Sequence, residues 1–348
     1  MSGKRSWIRL PRSVLVGAGV LDELRAVLAD LHLDGPAHVV TSPTPASLVG
    51  GRVHDHLGQS TETVIEQASG AVVDDVVAAA TDATFLVGVG GGTPIDIAKL
   101  AADRIGCGFI SVPTAPSHDG IVSGRSSLPD GQTRHSVAAD PPLAVVADTT
   151  VLAAAPWELM TAGYADIVSN ATAVKDWRLA HRVKDVEYSE YAAALSEMTA
   201  AMLVDSADVI RPGVEEAAWV VAKALVSSGV AMSIAGSSRP ASGAEHLISH
   251  QLDRLAPGVA LHGHQVGVAA IFTEYLHTGP TGEWRQIRDA LAGVGAPIDV
   301  DALAVDASTF IEAVTSAHEI RDRYTILGDG VDETAAREAA TATGIITG

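Results

Sequence analysis

Over its first 150 residues the chain alternates short apolar runs with stretches of helical periodicity. Val14–Val16, Ala37–Thr41, Thr84–Val89, Gly108–Val112 and Leu143–Ala147 are strand-length runs rich in β-branched residues. Between them, Gly19–Leu31 places Val20, Leu21, Leu24, Val27, Leu28 and Leu31 on one helix face, and Asp74–Ala80 predicts another helix. After Pro94, which suits a first helical turn, Ile95, Ala98 and Ala102 recur at helical spacing. Alternating strands and helices predict a mainly parallel sheet. Ile121–Leu128 and Thr133–Ala138, separated by Pro129-Asp130-Gly131-Gln132, predict a β-hairpin. From Pro156 onward strand patterns vanish and Ala-rich helical periods dominate, broken at Arg211-Pro212-Gly213 and Leu255-Ala256-Pro257-Gly258. The expectation is an α/β dinucleotide-binding domain over residues 1–152 and an all-helical metal- and substrate-binding domain over 153–348, as suits a chain of this length.

Composition narrows the function classes. The formal charge of −19 repels nucleic acid and anionic membrane, and no basic cluster with interleaved aromatics offsets it. Cys107, the single cysteine, cannot form an internal disulfide, which fits a reducing cytoplasm, and its lead-in to a strand reads as buried packing. The start, MSGKRSWIRLPRS, has no apolar segment of a secretory signal. The longest apolar stretch, Ala217–Gly236, is interrupted by Lys223, serines and glycines, so a soluble protein is expected.

The candidate chemistry begins at Gly90, Gly91 and Gly92, directly after the Thr84–Val89 run. Strand, glycine turn and helix together cradle a phosphate: the backbone approaches closely and the helix N-terminus attracts charge. A plain tight turn would look the same, and the spacing is not the G-x-G-x-x-G of an ordinary Rossmann fingerprint. A second loop, Pro113–Gly120, brings hydroxyls, His118 and Asp119 to a strand's carboxyl end. At the end of Ala37–Thr41, where an acid would grip the ribose of NAD, the sequence is Ser42-Pro43-Thr44, so strict NAD preference loses support. In the helical half, Asp166 is read as early in an apolar helix, where the dipole alone could explain it. His246 and His250, four apart, share a helix face, and His262 and His264 precede another apolar helix. One Asp with two His is a catalytic metal set by ligand type.

Five separated motifs, GVGGG-x-x-IDIAK, SVPTAPSHDGIVS, AGYADIVSNATAVKDW, SSRPASGAEHLISH and LHGHQVGV, run in order from about Val87 to Val268. With them the sequence resembles the sn-glycerol-1-phosphate dehydrogenase family, within the superfamily of glycerol dehydrogenases, iron-containing alcohol dehydrogenases and dehydroquinate synthases. The resemblance implies a dehydroquinate synthase-like fold, NAD or NADP, and one divalent metal on Asp166, His246 and His262. Zinc is the implied ion, with iron or nickel at similar sites in relatives. His264 stands where relatives often carry Glu. Gly90, Gly91, Gly92, Asp96, Thr114, Ser117 and Ser123 match cofactor positions; Thr93 replaces a basic residue often found there. Asp119 matches the acid facing substrate, and His250 suits a proton relay, unless it is simply a buried histidine bonded to backbone. Arg239, with Lys175 as runner-up, would hold a substrate phosphate if it is not a surface cation. The implied reaction interconverts dihydroxyacetone phosphate and sn-glycerol 1-phosphate in a cytoplasmic homo-oligomer. A glycerol or polyol dehydrogenase and a dehydroquinate synthase-like cyclase are the alternatives, though the cyclases carry Glu where Asp166 stands.

Overall fold

The computed structural model describes residues 7–130 and 133–347. Its strands are β1 (Ser13–Gly17), β2 (Ala37–Thr41), β3 (Ser60–Val64), β4 (Phe85–Gly90), β5 (Gly108–Pro113), β6 (Arg125–Asp130), β7 (Thr133–Ala138) and β8 (Ala144–Asp148). Six of them form one parallel sheet in the order β1-β8-β5-β4-β2-β3, while β6 and β7 pair antiparallel as the expected hairpin. Gly131 and Gln132 of the hairpin turn lie outside the described residues, as do residues 1–6 of the N-terminal segment.

Side chains along the central strands alternate between two apolar layers. Val39, Val87, Ile110 and Val146 face a cluster with Leu21, Leu24, Leu28 and Val53. Val40, Leu86, Phe109 and Val145 face the opposite way, into a larger cluster that continues through helix Gly92–Ile105 into the helical half. Strand order reverses between β2 and β4, because the chain steps outward to β3 before returning to β4 and β5. Such a reversal opens a crevice at the strands' carboxyl ends. There Gly90 pairs with Pro113, and the Thr114 N–H donates to the Gly90 carbonyl at 2.9 Å. The glycine turn and the Pro113–Gly120 loop therefore leave the sheet side by side.

β3 is a strand that the apolar pattern does not predict: its sequence, STETV, is polar and partly exposed at the sheet edge. Two hydroxyls hold it. The ring of buried His38 on β2 bonds Thr61 Oγ1 at 2.7 Å and Thr63 Oγ1 at 2.9 Å.

After Asp148 the described residues contain no strand. The two breaker sequences fall between helices, separating Glu190–Asp205 from Glu215–Ala235 and Ala244–Leu255 from His262–Thr278. Glu215–Ala235 is long and apolar enough to cross a membrane by length and composition. It packs against helices Glu190–Asp205, Thr149–Ala153 and Trp157–Val168, with Val221, Ala222 and Leu225 in the core. Cys107 is half-buried, and burial pushes its thiol up from its ordinary value.

The edge pairing carries a pH signature. Burial pulls His38 below its ordinary value of 6.5, with the Glu62 charge acting weakly the other way. The unfolded chain therefore takes up a proton that the folded chain resists, so stability present above 6.5 is lost as pH falls toward the depressed value. Denaturant midpoints measured on acidification from neutral pH are expected to fall more steeply for the parent than for His38→Gln.

Candidate metal and cofactor site

Two close backbone approaches assemble the site. Helix Trp157–Val168 crosses the Pro113–Gly120 loop at Gly163, where a Cβ would lie 1.8 Å from the Pro116 carbonyl oxygen. Helix His262–Thr278 meets the same helix at Gly263, where a Cβ would lie 2.1 Å from the Ala162 carbonyl oxygen. Only glycine allows contact of this kind. Asp166 lies one turn beyond Gly163, in the last turn of its helix, because that helix begins at Trp157. This corrects its reading as an early-helix acid: the positive end of the dipole is at the far end, so another interaction must hold the carboxylate. The Asp119 N–H donates to Asp166 Oδ2 at 3.2 Å, and His246 Nε2 lies 3.6 Å from Oδ1.

Asp166, His246 and His262 each offer one ligand atom, and these atoms all lie within 4.8 Å of one another. Both rings are oriented from behind. Glu245 Oε1 sits 3.0 Å from His246 Nδ1, and Ser249 Oγ sits 2.9 Å from His262 Nδ1 while donating to Gln265 Oε1 at 2.7 Å. Partners of this kind fix tautomer and ring plane at metal centres, so the donor set and its supports fit a divalent cation. Burial opposes a charge on His246, but hydrogen bonds and charge from Asp166 and Glu245 outweigh it and lift the ring to about 9. Asp166 is held below the carboxylate range despite burial, by His246 and then by His262 and His118. Asp119 is pushed up to about 7, by burial first and the Asp166 charge second, although its Oδ2 accepts from Ser228 Oγ at 2.8 Å.

The trio opens on a cavity of about 130 Å³ that Asp119, His250, Asp96 and Ser123 also line. Beside it runs a cleft of about 520 Å³ bounded by Ser42, Gly91, Ser117 and Pro257. Gly92, Thr93, His118 and His262 line both, so cleft and cavity share a wall. The cofactor set thus divides. Gly91, Gly92, Thr93 and Ser117 face the cleft; Asp96 and Ser123 face only the cavity, and Asp96 Oδ2 accepts from the Ser127 N–H at 3.0 Å. Gly90 and Thr114 join β4 to β5 behind the turn.

His250 is buried and stacks on His262 with ring centroids 5.6 Å apart. His264 turns away instead, with Nε2 2.9 Å from Thr161 Oγ1 and burial lowering it to about 4. The structure does not bring Lys175 to the cavity. Its Nζ bonds Glu274 Oε1 at 2.6 Å and Glu283 Oε2 at 3.4 Å, beside a separate depression. Nor does Arg239 line the cavity; Arg125 and Arg321 do. Those two, with Glu245 and Ser249, are the site residues that reading the sequence missed; His118 was placed only in the candidate loop. Glu245 was signalled by its place next to His246 and the arginine by the Arg321-Asp322-Arg323 run in an acidic chain.

A parallel sheet with a glycine turn, joined to helices that supply one Asp and two His, is the arrangement of an NAD(P)-dependent oxidoreductase. Residues 15–156 match the family model described as iron-containing alcohol dehydrogenase. The fold is that of a probable glycerol dehydrogenase from Sinorhizobium meliloti (TM-score 0.79, 20% identity, 97% of this chain and 98% of that one). It is also that of glycerol dehydrogenase from Schizosaccharomyces pombe (TM-score 0.78, 19% identity, 98% and 92%). Closer in sequence is a glycerol-1-phosphate dehydrogenase (NAD(P)+) from Haloquadratum walsbyi, 67% identical over 99% of this chain and 100% of that protein. Another from Methanosarcina mazei is 52% identical over 98% and 97%. The chain belongs to the glycerol-1-phosphate dehydrogenase family.

Because the Gly163 approach carries Asp166 to the loop, Gly163→Ala is expected to destabilise the protein by about 1–3 kcal/mol, the usual range for overpacking. Urea unfolding of the purified variant measures this.

Proposed function

We propose that this protein interconverts dihydroxyacetone phosphate and sn-glycerol 1-phosphate with NAD(H) or NADP(H), using a divalent metal held by Asp166, His246 and His262. The observation that carries the reading is the wall shared between a nucleotide-sized cleft and a small cavity containing that trio. The names of the full-length relatives agree with it. When bound, the coenzyme supplies hydride and the metal supplies Lewis-acid polarisation of the ketone.

The rest is done by the chain. Gly91 and Gly92, opening the helix Gly92–Ile105, offer backbone N–H groups and a positive dipole end to a pyrophosphate. Glu245 and Ser249 each engage an Nδ1, which supports ligation through the Nε2 atoms of His246 and His262. Asp119, raised to about 7, can hold or yield a proton near neutral pH, and His250 beside His262 extends the path from the cavity. Zinc is the ion favoured by two imidazoles and a carboxylate. Ser42 lies at the cleft, and the Ser42-Pro43-Thr44 sequence that ends β2 carries no acid, which supports use of both coenzymes.

Two measurements test this. Metal-loaded protein is expected to oxidise NADH and NADPH with dihydroxyacetone phosphate, the two kcat/KM values lying within about a thousandfold, or about 4 kcal/mol. Faster turnover of unphosphorylated dihydroxyacetone would move the activity to a glycerol dehydrogenase. Elemental analysis after dialysis is expected to show metal lost from His262→Ala and retained by His264→Ala; the reverse would make His264 the ligand.

A further inference from the structure

Four arginines converge beside the cavity that holds the Asp166–His246–His262 trio. Arg125 starts β6, Arg239 lies in the short turn Arg239–Ala241, and Arg321 and Arg323 follow the Ala317–Glu319 turn. Arg125 and Arg321 line the cavity wall together with Ser127, Ser238 and Ser242. The side-chain hydrogen bonds of Arg239, Arg321 and Arg323 run to neutral oxygens. Arg321 Nη2 donates to Ser242 Oγ at 3.0 Å, Arg323 Nη2 to Ser238 Oγ at 2.8 Å, and Arg323 Nη1 to the Ser242 carbonyl. Arg239 Nη1 donates to the Tyr324 carbonyl at 3.5 Å. Arg321 Nε is buried with no partner among the described residues.

The carboxylate that attracts Arg321 and Arg323, Glu245, is already committed. It accepts from the Gly243 N–H and from Thr172 Oγ1 at 3.0 Å, and it faces His246 Nδ1. Burial draws Arg321 down to about 10, and the Arg125 and Arg239 charges add to this against the pull of Glu245. Half-desolvated cations that repel one another are unfavourable on their own, and a bound dianion removes the cost. A planar guanidinium also matches two phosphate oxygens at once.

The geometry points to a phosphate subsite in which Arg321 and Arg125 grip the phosphate of the ketone substrate, with Ser242 setting the plane of Arg321. This rests on the reading of the substrate as a phosphorylated ketone. It moves the phosphate contact away from Lys175 and Arg239, neither of which lines the cavity. The 2′-phosphate of NADP is the other available phosphate, but the arginines are absent from the lining of the cleft.

The test compares Arg321→Ala, Arg321→Lys and Arg125→Ala with the parent on dihydroxyacetone phosphate and dihydroxyacetone. NADH-binding fluorescence and metal content report folding. In Arg321→Ala the ratio of kcat/KM for the phosphorylated over the plain ketone is expected to fall by about a hundredfold, mainly through KM, as for an unpaired buried anion. Arg321→Lys is expected to recover part of it, since it keeps the charge and loses the fork. Inorganic phosphate is expected to compete with dihydroxyacetone phosphate in the parent and to compete less well in each variant. If Arg321→Ala does not fold, Arg321→Lys and Arg125→Ala decide. Unchanged ratios in those two, with a parent that prefers the phosphorylated ketone, overturn the subsite and leave the reaction standing. A loss confined to NADPH turnover also overturns it, by assigning the cluster to the coenzyme. If the parent shows no preference for the phosphorylated ketone, the proposed reaction falls. Calorimetric titration of parent and Arg321→Lys with inorganic phosphate then judges the subsite alone: weaker binding by the variant supports it, and equal binding or none overturns it.

Discussion

Helix Trp157–Val168 runs so close to the Pro116 carbonyl that Gly163 has no room for a side chain, and the geometry of the site descends from that approach. With the helix pressed onto the loop, Asp166 arrives one turn later at the Asp119 N–H. The Gly263 contact on the other side of the same helix delivers His262. Three segments distant in the chain thus bring oxygen and nitrogen donors into one small volume. Metal geometry of this kind needs tolerances of a few tenths of an ångström, which loops alone would not hold.

Charge management is the second constraint. Buried Asp166 and Glu245 and half-buried Asp119 lie near one another in a chain already carrying −19. A divalent cation on Asp166, His246 and His262 would compensate this charge. Behind the loop, fully buried Lys99 bonds Asp96 Oδ1 at 3.3 Å, the Gly120 carbonyl at 2.7 Å and the Arg125 carbonyl. One ammonium therefore ties the glycine-turn helix to the Asp119 loop and to the hairpin strand that bears Arg125. Truncating a buried cation with so many partners would leave its acceptors unsatisfied.

The same fold serves the glycerol dehydrogenases that superpose on it at about one-fifth identity. Sheet order and glycine turn are thus a common platform, and what is done on it depends on the side chains facing the cavity. Here the cavity is lined by imidazoles, carboxylates and the guanidinium-bearing Arg125 and Arg321. At about 130 Å³ the cavity has room for a small ligand only.

The parallel sheet, the glycine turn and the helical second half are legible in the sequence because each is written in apolar spacing over a few residues. β3 is not, since an edge strand held by His38 to two threonine hydroxyls needs no apolar run. Asp166 could be named, but its place at the end of its helix could not, because the helix start at Trp157 is a weak local signal. Lys175 and Arg321 make the division plain. Both are cations in an acidic chain, yet Lys175 is captured by Glu274 and Glu283, while among the described residues Arg321 bonds the neutral Ser242 Oγ. Periodicity is a short-range property that the sequence fixes by itself. Which charges are neutralised, and which are left facing a cavity, is decided only when remote segments meet and exclude water.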